Sequence, residues 1–113
     1  MSMNVYDEAH KLSSAIKESN EYVDYERLKK LVDEDANLSS MLQELHELQI
    51  SIQAAQITGQ AADPNLMSRM QSVYTMLSTN SIAAEYLQAE MRLSVMIKDV
   101  FEILGDSINF MTK

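Results

Sequence analysis

Between Leu38 and Ala55 the apolar residues fall at alternating steps of three and four: Leu38, Met41, Leu45, Leu48, Ile52 and Ala55. A strand would place them at every second residue. The observed spacing puts them in one stripe of an α-helix, sustained for more than two heptads. Leu42 widens the stripe. A second run repeats the alternation through Ile82, Tyr86, Ala89, Leu93, Met96, Val100 and Ile103, with Leu87, Met91 and Ile97 broadening its apolar surface. Only two glycines and one proline occur in 113 residues, too few turn-makers for a many-stranded fold. Long apolar stripes in a chain poor in turns are satisfied by packing helix on helix.

The punctuation between the stripes predicts five helices. Val5, Ala9, Leu12 and Ile16 give the first, over 5–19, with Asp7 and Lys11 spaced to pair. A short second helix over 21–32 shows Tyr25, Leu28 and Val32 on its apolar face and Asn20 as its N-cap. The third, over 36–58, starts after Asp35 and stops at Gly59. Asp63 followed by Pro64 reads as N-cap and first helical residue of the fourth, which turns Leu66, Met70, Val73 and Leu77 inward. Asn80 or Ser81 caps the fifth, and Gly105 is expected to end it, leaving a tail that adds a turn or frays. The short connection between the third and fourth helices favours an antiparallel return. The expected fold is all-α: a small antiparallel helical bundle or hairpin, with two long amphipathic helices and shorter flanking ones, in one domain over 1–113.

Charge and composition remove several classes of function. Nine Lys and Arg against 17 Asp and Glu give a formal charge of -8. Such a surface repels phosphate backbones, so no direct nucleic-acid binding is expected. The densest basic cluster, Arg27, Lys29 and Lys30, is small and flanked by acids. Cysteine is absent, which excludes disulfides, thiol chemistry and cysteine-held zinc or iron–sulfur centres. No apolar run approaches the length of a membrane span, so no membrane insertion is expected. The start, MSMNVYDEAHKLSSA, lacks the basic and apolar regions of a secretory signal. Cytoplasmic residence is the resulting expectation.

No residue pattern assembles a catalytic set. His46 and Glu47 open the zinc-protease pattern HExxH, but Ile50 stands where the second histidine belongs. Glu44 with Glu47, and Glu85 with Glu90, are carboxylate pairs without a histidine partner or a metal-ligand spacing; helix faces in water commonly carry such pairs. No serine sits in a GxSxG elbow, and neither glycine belongs to a phosphate loop. Catalytic residues, cofactors and metals are therefore expected to be absent. Nine methionines, three of them gathered at Met67, Met70 and Met76, suit either a soft core or an adaptable partner groove. Gln49, Gln53, Gln56 and Gln60 recur at steps of four, three and four beside the apolar seam of the third helix. Amides donate and accept hydrogen bonds at little desolvation cost, which fits a wet interface as well as a solvated face.

Three stretches resemble one family. YLQAEMRLSVMIKDVFEILGDSI is similar to the C-terminal signature of the YlbF/YmcA-like family, and more narrowly of its YheA-like, UPF0342 branch. NVYDEAHKLSSAIKESNEY resembles its opening helix, and LHELQISIQAAQITGQ its middle helix of spaced glutamines before a glycine. The resemblance covers almost the whole chain. It implies a small all-helical bacterial cytoplasmic protein without catalysis, a protein–protein interaction module acting as a regulator through ribonuclease Y or another RNA-processing assembly. Matching positions make Gln49, Gln53, Gln56, Tyr86, Glu90, Arg92 and Leu93 the candidate interaction residues, with Gly59 closing the middle motif. Relatives in the Y-complex carry iron–sulfur clusters on cysteines, and this chain has none to offer. The breadth of the apolar stripes further predicts a homodimer or higher homo-oligomer, since burying a leucine or methionine is worth roughly 1.5–3 kcal/mol. The alternative function is a self-associating structural protein with no RNA-processing role.

Overall fold

The computed structural model describes residues 4–61 and 63–108. They form α1 (Val5–Glu18), α2 (Asn20–Asp33), α3 (Ala36–Ile57), α4 (Pro64–Ser78) and α5 (Ser81–Ile108), with no strand among the described residues. The fold is the all-α architecture that the apolar spacing predicts.

The helix ends follow from local hydrogen bonding. Asn4 caps α1, its Oδ1 accepting from the Tyr6 N–H at 2.8 Å and the Asp7 N–H at 3.3 Å. Asp35 caps α3 by accepting from the Leu38 N–H at 3.1 Å, and Asp63 caps α4 by accepting from the Asn65 N–H at 2.9 Å. Of the two residues able to cap α5, it is Asn80 whose Oδ1 accepts the Ala83 N–H, at 3.0 Å. At the end of α3, Thr58 is the C-cap and Gly59 takes φ +79, a left-handed backbone that side chains with a Cβ resist. The Gln60 N–H then reaches the Ala55 carbonyl at 2.9 Å and the Gly59 N–H the Gln56 carbonyl at 3.2 Å. These two bonds make the Schellman closure.

Three local expectations need correction. Ser19, not Asn20, separates α1 from α2: its extended backbone leaves the hydroxyl free to donate to the Ile16 carbonyl at 2.6 Å and accept the Tyr22 N–H at 3.2 Å. One side chain thus closes one helix and opens the next, while Asn20 is already helical. Gly105 does not end α5, which runs on to Ile108. A glycine stops a helix only where the chain turns away through a left-handed residue; within a run of good helix formers it costs about 1 kcal/mol and is carried along. The final residues of the anticipated tail, from Asn109 onward, lie outside the described residues. Lys11 pairs with Glu8 at 3.3 Å, three residues back, instead of with Asp7.

The chain divides into two compact units. One comprises residues 29–86; the other joins the chain up to Leu28 with the chain from Leu87 onward. In the first, α4 returns along α3 and the two helices pack together. Leu38, Leu42, Leu45, Leu48 and Ile52 of α3 are buried, as are Val32, Val73, Leu77, Ala83 and Tyr86. Most of the predicted inward residues are here, but Leu42 displaces Met41, which is half-buried. The second unit is covered more thinly. None of the fourteen residues of α1 is buried, and among its described residues Leu28 and Ala89 are the buried ones.

Candidate interaction surface

The candidate surface of the 29–86 unit is built where α4 returns along α3. Asp63 and Pro64 start α4 and Gly59 ends α3, so the turn between them sets which residues face one another. Arg69 forks onto Glu44, its Nε donating to Oε2 at 2.7 Å and its Nη2 to Oε1 at 3.0 Å. This bidentate pair joins residues 25 apart in sequence. The guanidinium holds the Glu44 carboxyl below the usual carboxylate range, and the carboxylate in turn raises the Arg69 guanidinium.

Beside that clasp lies an open cleft of about 720 Å³, lined by Leu45, Gln49, Pro64, Met67, Ser68, Met70, Gln71 and Tyr74. None of these eight residues carries a charge. Leu45 forms the buried floor, while Met67 and Tyr74 stand exposed at the rim. Gln49 and Gln71 bring amides from the two helices to the same concavity. The surface can therefore take an apolar side chain against thioethers and an aromatic ring while offering hydrogen bonds at its edges.

The candidate interaction residues fall into two groups. Gln49, Gln53 and Gln56 are exposed along α3, and Gln49 also lines the cleft. Tyr86 is only 6% exposed and belongs to the buried set of the 29–86 unit. Glu90, Arg92 and Leu93 lie in the other unit; Glu90 and Leu93 are half-buried and Arg92 is exposed. Met67, Gln71, Tyr74 and the Glu44–Arg69 clasp were not singled out for this surface by sequence reasoning. Met67 and Met70 carried a partial signal as part of the methionine cluster; the third member, Met76, is exposed outside the cleft.

The remaining candidates for chemistry stay dispersed. His46 is half-buried on α3, Lys29 pairs with Asp33 at 3.1 Å, and Gln43 donates to Glu47 at 3.4 Å. Among the described residues, no three His, Asp or Glu side chains converge as a metal site. Within the same residues no helix is long and apolar enough to cross a membrane.

A family model described as "Control of competence regulator ComK, YlbF/YmcA" matches residues 5–109. The chain belongs to this family. A UPF0342 protein of Caldicellulosiruptor bescii is 34% identical over 95% of the chain and 90% of that relative. In structure, the chain is similar to a protein of unknown function (DUF964) from Bacillus stearothermophilus, with a TM-score of 0.77, 21% identity, and coverage of 93% of this chain and 92% of that one. A chain from the crystal structure of Bacillus subtilis RicA in complex with RicF matches with a TM-score of 0.60 and 19% identity, covering 93% of each. These structural likenesses establish a shared fold. The YlbF/YmcA chain described here is an all-α member of a family described by its control of a competence regulator.

Proposed function

We propose that this protein is a cytoplasmic regulator acting by protein–protein contact, through ribonuclease Y or another RNA-processing assembly, and that it self-associates as a homodimer or higher homo-oligomer. The observation that carries the reading is the uncharged cleft of α3 and α4, continuous with the exposed face of Gln49, Gln53 and Gln56. Such a surface suits a partner's apolar side chain bordered by backbone or amide groups, and gives no foothold to a phosphate chain. The family match and the RicA–RicF complex, from which a structurally similar chain comes, support a protein as the partner. Tyr86 contributes by fixing the core, and Glu90, Arg92 and Leu93 by contact from α5. The 113 residues act as one domain in this reading.

Affinity capture of the full chain from its native host, with quantitative mass spectrometry, tests the function. Recovery of ribonuclease Y or its associates, lost on introducing Gln49→Glu with Gln53→Glu, is the expected outcome. Recovery of ribonuclease Y undiminished by those charges would remove the glutamine face from the reading. Reproducible recovery of the chain alone would favour a self-associating structural protein. That second reading has its own observation: Phe101, Ile103 and Ile108 of α5 are all exposed. RNA should bind the purified protein weakly at physiological salt; micromolar, salt-sensitive binding to unrelated RNAs would instead implicate Arg27, Lys29 and Lys30.

A further inference from the structure

The later part of α5 carries Leu93, Ile97, Phe101, Leu104 and Ile108 at steps of four, four, three and four, a single stripe of one helix. Its cover thins along its length. Leu93, Ile97 and the adjoining Val100 are half-buried, whereas Phe101 is 67% exposed, Leu104 45% and Ile108 65%. Phe101, Leu104 and Ile108 alone leave roughly 300–400 Å² exposed along one stripe of the helix, the size of the largest apolar patch on a typical monomer, which is often functional. A standard interface takes about 800 Å² per partner, of which somewhat over half is apolar. The stripe supplies the greater part of that need.

The stripe also reads the same in both directions. Ile97 and Leu104 lie equally far from a point midway between Val100 and Phe101, and so do Leu93 and Ile108. A second helix laid antiparallel about that point would set Leu93 against Ile108 of the second copy, Ile97 against its Leu104, and the Val100–Phe101 step against itself. Lys98 and Glu102, exposed and 3.9 Å apart within one chain, offset one another's charge on this part of α5. Between Arg92 and Ile108 two bases, Arg92 and Lys98, face three acids, Asp99, Glu102 and Asp106; this segment contributes -1 to a chain of -8. Two copies therefore meet here with little of the repulsion that their total charge would bring. We propose that this α5 stripe is the contact between two copies of the chain, antiparallel about a twofold axis near Val100 and Phe101, the self-complementary arrangement that twofold symmetry requires. The proposal rests on the self-association stated above and locates it.

The cysteine-free sequence makes the test clean. Full-length Phe101→Cys and Met91→Cys, both at exposed positions but on different faces of α5, are treated with a short bismaleimide at low micromolar concentration. Rapid covalent dimer from Phe101→Cys, at least tenfold faster than from Met91→Cys, is expected; equal rates overturn the proposal. Sedimentation equilibrium of the wild type and of Leu104→Asp gives the second readout, with circular dichroism verifying retained helix. The substitution should raise the dimer dissociation constant at least tenfold. A wild-type dimer unaffected by a folded Leu104→Asp overturns this interface and leaves self-association standing. A wild-type mass fixed near 12.8 kDa at every concentration overturns both.

Discussion

The Glu44–Arg69 clasp ties pH to stability at a single pair of residues. Both side chains remain open to water, so the effect is modest and weakened by salt. The Glu44 pKa is lowered in the folded chain by the Arg69 hydrogen bonds. Its contribution is therefore present above the ordinary carboxylate value and lost as pH falls through the lower folded value. Glu44→Gln should lower the melting temperature slightly at pH 7, and the gap from wild type should close on acidification. A gap that widens in acid would contradict the pairing. Leu45 presents a larger lever. It is 1% exposed and lies beneath the α3–α4 cleft. Leu45→Ala should destabilise the fold by about 2–5 kcal/mol in urea unfolding, through lost burial and the space left behind.

At the scale of the element, the α3 terminus depends on one backbone conformation. A Cβ built on Gly59 meets nothing within 4 Å, so room is not the constraint. The constraint is φ +79, which costs an alanine on the order of 1 kcal/mol. Gly59→Ala is expected to shift the urea midpoint by that amount without lowering helix content; a neutral substitution would mean the Schellman turn relaxes at no cost. At the start of α5 the capping carboxamide of Asn80 is the corresponding device, and Asn80→Ala should cost about 1 kcal/mol. Both losses are small beside that of Leu45→Ala, because a cap satisfies one or two backbone groups whereas a core leucine holds apolar contacts on every side.

For the whole molecule, the two compact units are joined inside α2 and α5, between Leu28 and Lys29 and between Tyr86 and Leu87, and not through loops. A helix melts cooperatively along its length, so continuous helices should bind the units into one unfolding event. Calorimetry should give one transition with matching calorimetric and van't Hoff enthalpies; two resolved transitions would refute the single-domain reading. The sequence by itself determined the helical class, all five helices, and the caps at Asp35, Asp63 and Gly59, because three-and-four spacing and capping chemistry act over a few neighbouring residues. It also carried the family, through three stretches in order along the chain. Only tertiary structure decided that Arg69 meets Glu44, that Leu42 outranks Met41 in the core, and that Gln49 shares a cleft with Met67 and Tyr74. Those relations depend on the angle and register at which α4 returns over α3. The turn between the helices and the fit of both faces set that register together, and no local pattern in either helix encodes it.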